Sequence, residues 1–158
     1  MGMELYQPFL KLARETVQSM ANLKLDVVGA VNSESEEIVS MGVTSIITCT
    51  GKMKGRCMLD FEPELALALA QNITGTAYTN VKDPMVLATV SELNNIISGG
   101  AISSLNNAYG LNLWLAPPIV FSGKNCIICI PKLASASINC TTLYGKLKIN
   151  IAFEGGNH

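Results

Sequence analysis

Glu92 and Asn95 stand three residues apart in Glu92-Leu93-Asn94-Asn95-Ile96-Ile97-Ser98-Gly99, and Glu92 is the sole charged residue between positions 84 and 123. At about 100° per residue of α-helix, Asn95 lies about 60° to one side of Glu92, and Gly99 about 20°. Met85, Ala88, Ser103 and Asn106 also fall near the Glu92 direction. A carboxylate and a carboxamide on one face offer a charge and a donor–acceptor pair to another surface. Gly99, one turn beyond Asn95, lowers helix propensity by about 1 kcal/mol and leaves a flat place that another backbone can approach closely. Asn94, Asn95, Ser98, Gly99 and Gly100 are mediocre or poor helix formers crowded around one charge, and a local rule broken without visible compensation points to function.

Other chemistry is thinned by subtraction. The only histidine is His158, the last residue, so His-based triads, metal sites and general bases are not expected. Cys126 and Cys129 form a C-x-x-C inside a strand-like run, where the odd spacing sends the two side chains to opposite faces. The five cysteines (Cys49, Cys57, Cys126, Cys129, Cys140) lie in apolar runs and read as buried, reduced thiols. No G-x-G-x-x-G or Walker loop occurs; Gly99-Gly100 falls in a helical pattern and Gly155-Gly156 near the chain end. No metal site is expected.

The elements that must position Glu92 and Asn95 are legible in outline. Asp83-Pro84 supplies an N-cap and an N1 proline for a helix reaching Gly110, with Leu87, Val90, Ile97, Ala101 and Leu105 opposite Glu92 and facing the core. A first amphipathic helix spans 4 to 22, with Pro8 in or near its first turn, and a short one runs from Glu62-Pro63-Glu64 to Gly75. After a turn-rich stretch at 32 to 37, the segments 38 to 50 and 54 to 61 read as a β-hairpin. Four further β-rich runs follow, at 111–121, 125–130, 134–142 and 146–153. The reading is one domain over 1–158, of the α/β (α+β) class, with a mainly antiparallel sheet and long helices packed on it. Pro118 returns level with Asn95 by distance: about 14 residues of helix run roughly 21 Å outward, and about six residues of strand return roughly 20 Å. Pro117-Pro118 then marks an exposed sheet margin beside the helix. Offset by 24 positions, Asn72-Ile73-Thr74-Gly75 echoes Ile96-Ile97-Ser98-Gly99, with Ala68 in place of Glu92.

Composition agrees with a small protein-binding domain. Of 158 residues, 49% are hydrophobic and only 15% charged, which leaves little charged surface and makes self-association the economical reading. Eleven Lys and Arg against twelve Asp and Glu, with no basic run, give no footprint for nucleic acid. No uninterrupted apolar stretch is long enough to span a membrane, and five charges in the first 25 residues argue against a signal peptide, so a cytoplasmic location is expected.

Glu92-x-x-Asn95, followed after 22 residues by Pro118, resembles the signature of the CheC/CheX chemotaxis phosphatases. The likeness extends through Tyr6-Gln7-Pro8-Phe9, Pro118-Ile119-Val120-Phe121-Ser122-Gly123 and the terminal strands, and the single Glu/Asn pair resembles the CheX branch. That family usually has Asp or Ser four residues before the glutamate, where this chain has Ala88.

The resemblance implies hydrolysis of the aspartyl phosphate of a CheY-like response regulator. Asn95 would orient the attacking water, Glu92 would pair with the regulator's lysine, and Gly99, Ser103 and Pro118 would contribute to partner binding. It implies no cofactor of the chain's own, with Mg²⁺ on the regulator, and a homodimer in which terminal strands extend one sheet into the next subunit. The alternating Ile149, Ile151 and Phe153 suit such pairing. The alternatives are a non-catalytic module that binds a receiver or flagellar-switch partner, and a structural dimer that buries the 92–106 face against itself.

Overall fold

The computed structural model describes residues 3–33, 37–129 and 133–154. His158, Gly155-Gly156, Ile130 and the centre of the 32–37 turn lie outside the described residues.

Helix α1 (Met3–Ala21) buries Tyr6, Phe9, Ala13, Val17 and Ala21 and leaves Lys11, Arg14, Glu15 and Gln18 wet, an apolar stripe at helical spacing. It begins early enough that Pro8 falls inside it, past the first turn. Helix α2 (Pro63–Thr74) opens on Pro63 and closes at Gly75, whose φ of 79° is the left-handed conformation that glycine adopts without a Cβ penalty. Helix α3 (Pro84–Tyr109) is the longest. The three helices cover one face of an antiparallel sheet. No helix among the described residues is long and apolar enough to cross a membrane.

The strands are β1 (Asp26–Ser33), β2 (Glu37–Val39), β3 (Val43–Thr50), β4 (Gly55–Phe61), β5 (Trp114–Leu115), β6 (Ile119–Ser122), β7 (Ile127–Cys129), β8 (Ser135–Thr142) and β9 (Gly145–Phe153). The main sheet runs β1-β8-β9-β4-β3, with β5 and β6 both along the outer side of β3. A two-stranded piece pairs β2 with β7. Two registers are successive stretches of one antiparallel ribbon, Glu37 opposite Cys129 and Val43 opposite Ser122, while β1 meets β8 with Ser33 opposite Ser135. The β2–β7 ribbon joins the main sheet at its β3–β6 edge.

Several expectations are corrected here. Strand β1 has no counterpart in the sequence reading, because valines, glycine and alanine at a half-wet edge give no clean alternation. The run 38–50 is two strands broken at Ser40–Gly42, and 111–121 is two strands broken at Ala116–Pro118. The run at 125–130 contributes only the short β7. Strand β9 is not an edge: it is paired with β4 and β8, and Ile149, Ile151 and Phe153 are buried against the helices. Phe153 meets Phe9 with ring centroids 6.2 Å apart. Among the described residues β1 is paired on one side only, by β8, and its Val28 and Val31 are exposed.

The face of the sheet away from the helices is also buried at its centre, at Arg56, Met58, Asp60, Asn150 and Ala152. Asp60 holds the bend between β2 and β3. Its carboxylate accepts from the Met41 amide at 3.0 and 3.2 Å and from Thr44 Oγ1 at 2.9 Å. Burial pushes this carboxyl above the usual carboxylate range, partly offset by those bonds and by Lys148. A raised pKa means the folded state binds the proton more tightly than the unfolded chain does. Relative to Asp60→Asn, the wild-type protein should therefore lose stability as pH rises from the ordinary aspartate value of about 3.9 through the raised one, and hold steady above it. Urea midpoints of the two proteins across pH 3 to 8 check this; parallel curves would remove Asp60 from the titration.

Candidate functional site

Helix α3 starts and stops where its caps place it. Asp83 accepts a hydrogen bond from the Met85 amide at 2.9 Å, Pro84 occupies the first turn, and Gly110 closes the helix with φ 62°. Val86, Val90, Leu93, Ile97, Ala101 and Leu105 are buried on its inner side, while Leu87 is half-buried. Met85, Ala88, Glu92, Asn95 and Ser103 are exposed and Gly99 is half-exposed. Glu92 and Asn95 thus share the outer face, three residues and about 4.5 Å of helix rise apart. Ser103 Oγ donates to the Gly99 carbonyl at 3.0 Å, which ties two of the candidate partner-binding residues to one turn.

The crowd of poor helix formers divides in two, and only part of it belongs to the outer face. Asn94 and Ser98 are fully buried, with Asn94 Nδ2 donating into the sheet and Ser98 Oγ donating to Asn94 Oδ1 at 2.9 Å. Gly100 lets α1 approach, since a Cβ there would stand 2.8 Å from Leu12 Cδ1 and 3.0 Å from its Cγ. Those three choices are compensated by packing and by hydrogen bonds across elements. Asn95 and Gly99 remain without such an account: a Cβ on Gly99 would meet only Leu115 Cδ1, at 3.9 Å. The glycines of the 24-residue echo differ in setting: Gly75 ends α2 in the left-handed region, whereas Gly99 lies inside α3.

The chain returns from α3 under tight local control. Asn106 is half-buried and clamps Leu113, its Nδ2 donating to the Leu113 carbonyl at 2.9 Å and its Oδ1 accepting from the Leu113 amide at 2.7 Å. The Lys52 amide donates to the Leu111 carbonyl at 2.9 Å, and a Cβ on the neighbouring Gly51 would lie 2.4 Å from the Asn112 oxygen. The Ala116 amide then donates to the Thr48 carbonyl at 2.9 Å. Pro118 falls in the break between β5 and β6 on the outer side of β3, half-buried beside exposed Pro117 and Ile119. Leu115, three residues earlier, lies at Gly99, and β6 packs against α3. Sequence reasoning missed Asn106 as an anchor by placing it with the outer face; its position seven residues before Leu113, at the helix end, was the available signal.

The thiols divide as well. Cys49, Cys57 and Cys140 are buried, but Cys126 and Cys129 are exposed, contrary to expectation, because their run belongs to the ribbon and not to the core. Burial pushes Cys57 up to about 12 and Cys49 and Cys140 to about 11, so these three are neutral thiols at pH 7. Among the described residues no three His, Cys, Asp or Glu side chains come together as a metal site would need. The chemistry that the α3 face can offer is a carboxylate for a cation and a carboxamide for a polar hydrogen-bonding group.

An antiparallel sheet with three helices on one face, the longest displaying a carboxylate and a carboxamide outward, makes an α/β domain whose long helix offers its outer face to a partner. The chain belongs to the CheX family: the family described as "Chemotaxis phosphatase CheX" matches residues 43–141. It is similar to a CheC-like superfamily protein from Shewanella sp. PV-4, with 29% identity, TM-score 0.89, and 98% of this chain and 100% of that one covered. It is similar to the chemotaxis protein CheX from Vibrio vulnificus, with 27% identity, TM-score 0.85, and coverage of 96% and 99%. The fold is shared with the CheX–CheY–BeF3–Mg²⁺ complex from Borrelia burgdorferi, at 24% identity, TM-score 0.81, and coverage of 95% and 97%. No curated protein sequence matches it.

The two adjacent glycines give a direct check on which face is free. Gly99→Ala gains up to about 1 kcal/mol of helix propensity with no crowding. Gly100→Ala gains the same propensity but overpacks Leu12, a cost of about 1–3 kcal/mol. Urea unfolding should show Gly99→Ala more stable than the wild type and Gly100→Ala below Gly99→Ala; the reverse order would place the free surface elsewhere.

Proposed function

We propose that this chain is a phosphatase that hydrolyses the aspartyl phosphate of a CheY-like response regulator. The observation that carries the reading is the shared exposure of Glu92 and Asn95 on one face of α3 in a chain of the CheX family. The Borrelia burgdorferi complex supports the partner, since a CheX-type fold is there bound to a CheY with beryllofluoride and Mg²⁺. In this reading the Mg²⁺ belongs to the regulator and the chain brings no cofactor of its own. A cytoplasmic setting goes with that partner.

An acyl phosphate is an activated mixed anhydride, and its transfer through a loose transition state needs an in-line water and charge stabilisation more than a strong base. The water oxygen bonds to phosphorus, the bond from phosphorus to the aspartyl oxygen breaks, and the regulator's carboxylate leaves with the electron pair. The water's protons pass to phosphate and solvent. Asn95 orients that water, because a carboxamide donates with its NH₂ and accepts with its oxygen. Glu92 pairs with the regulator's lysine, which sets register more than affinity. Gly99 admits the partner's backbone, Ser103 extends the contact one turn along, and Pro118 borders it. Ala88 leaves a methyl where the family commonly has a polar side chain, one turn before Glu92, and so removes one contact to the partner.

Self-association fits the free β1 edge, with its exposed Val28 and Val31 and no charged residue between Asp26 and Glu34. In this reading two copies pair through β1 and not through β9.

Acyl-phosphate lifetime on a phosphorylated receiver tests the activity. Asn95→Ala should lower turnover by at least roughly 10²-fold while binding is retained, and Glu92→Ala should chiefly weaken binding. Undiminished turnover by Asn95→Ala defeats the assignment. Light scattering tests the assembly: a dimer for the wild type and a monomer for Val31→Lys are expected, and a wild-type monomer overturns the pairing.

A further inference from the structure

Asn95 can present its amide to a partner's phosphate only if α3 is held at one rotation. The apolar side chains beneath α3 pack it closely but restrain its rotation less sharply than hydrogen bonds do, because hydrophobic contact is non-directional. A roll of about 20° would carry a side-chain tip, some 5–6 Å from the helix axis, through about 2 Å. A misplacement of 1 Å can cost about 10²-fold in rate.

The residue immediately before Asn95 supplies the missing direction. Asn94 is 0% exposed. Its Nδ2 lies 3.1 Å from the Ser45 carbonyl, 3.1 Å from Ser45 Oγ and 3.3 Å from the Cys57 carbonyl. Its Oδ1 accepts from Ser98 Oγ at 2.9 Å. The acceptors belong to two adjacent central strands, β3 and β4, and the donor to the next turn of α3 itself. One side chain therefore clasps the helix to two strands within a single residue of the proposed catalytic amide. A helix chosen only for packing would bury leucine there, since an amide must find all its partners or lose about 1–3 kcal/mol.

We propose that Asn94 is a positioning residue: by fixing the rotation and height of α3 on β3 and β4, it sets where the Asn95 carboxamide meets the phosphate. This rests on the reading of Asn95 given above. Ser98 acts in the same clasp by holding the Asn94 amide in one orientation.

Turnover and binding are measured with a phosphorylated CheY-like receiver and with the same receiver held in its active form by beryllofluoride and Mg²⁺. Asn94→Leu keeps the branched shape and the number of heavy atoms and removes direction. It should fold by circular dichroism, bind the beryllofluoride-held receiver within about threefold of wild type, and lose about tenfold or more in kcat with KM little changed. Val86→Ala, a buried change on the same helix without a polar partner, should lose stability with kcat retained. Ser98→Ala should lower kcat, and Ser98→Thr, which keeps the hydroxyl, should restore it. Wild-type kcat in folded Asn94→Leu overturns the inference, as does an equal kcat loss in Val86→Ala. Where Asn94→Leu fails to fold, the serine pair decides, and equal wild-type kcat in Ser98→Ala and Ser98→Thr overturns it. A fully active Asn95→Ala sinks the reading beneath; an inactive Asn95→Ala beside a fully active Asn94→Leu sinks this inference alone.

Discussion

The buried carboxamide of Asn94 is the contact on which the geometry of α3 depends. Its partners are the Ser45 and Cys57 carbonyls and two hydroxyls, all buried, and hydrogen bonds in such surroundings are both stronger and more directional than the apolar contacts around them. The inner face of the helix supplies cohesion through Val90, Leu93, Ile97 and Leu105; the amide supplies a fixed angle. A helix set in this way can leave its outer face without stabilising contacts. Asn95 and Gly99, each a weak helix former, are tolerated there because the caps at Asp83 and Gly110 and the clasp at Asn94 hold the same twenty-six residues from both ends and the middle.

The economy of charge follows from the reaction proposed. An enzyme that cleaves a stable ester must generate a nucleophile and shift a pKa to do so. An acyl phosphate brings its own leaving-group activation, and the proposed reaction leaves the neutralising cation to the partner. What the chain must contribute is position, and position needs neither histidine nor a perturbed carboxylate. The buried thiols Cys49, Cys57 and Cys140 stay protonated and out of the chemistry, and the strongly buried acid, Asp60, serves a bend in the ribbon. The polar residues of the interior are thus spent on holding elements in place, and the one charge on the long helix is left for the surface.

What the sequence makes legible follows from which signals are local. Helices α2 and α3 are readable almost to the residue, because Pro63, Pro84, Asp83, Gly75 and Gly110 are chemical punctuation. The outward pairing of Glu92 with Asn95 is readable because helical geometry fixes it within one turn. Asn94 and Ser98 were not separable from Asn95 by residue type, since a buried asparagine and an exposed one look alike until the strands that accept its hydrogens are known. Strand β1 and the internal place of β9 depend on long-range pairing, and an apolar strand such as Ile149–Phe153 has the same pattern at an edge and in the middle of a sheet. The exposure of Cys126 and Cys129 was hidden for the same reason: an apolar run in a ribbon resembles one in a core.

The ribbon also bears on the site. Strand β6 hydrogen-bonds in the main sheet only to β3, so its placement depends on what holds its two ends. At one end, the Ala116 amide on Thr48 and the Asn106 clamp on Leu113 bring the chain back from α3. At the other, the Gly123 amide donates to the Gly42 carbonyl at 2.8 Å, Ser40 Oγ donates to the Gly123 carbonyl, and the Ser40 amide donates to Cys126. Asp60 pins Met41 at the same bend. Pro118 has no amide hydrogen to donate and cannot fix itself in the ladder. Its position is consequently set from both sides, by the end of α3 and by the return of the ribbon. In the proposed reading the proline margin and the Asn94 clasp are two independent constraints on one surface: the first places the border, the second the angle at which the helix faces it.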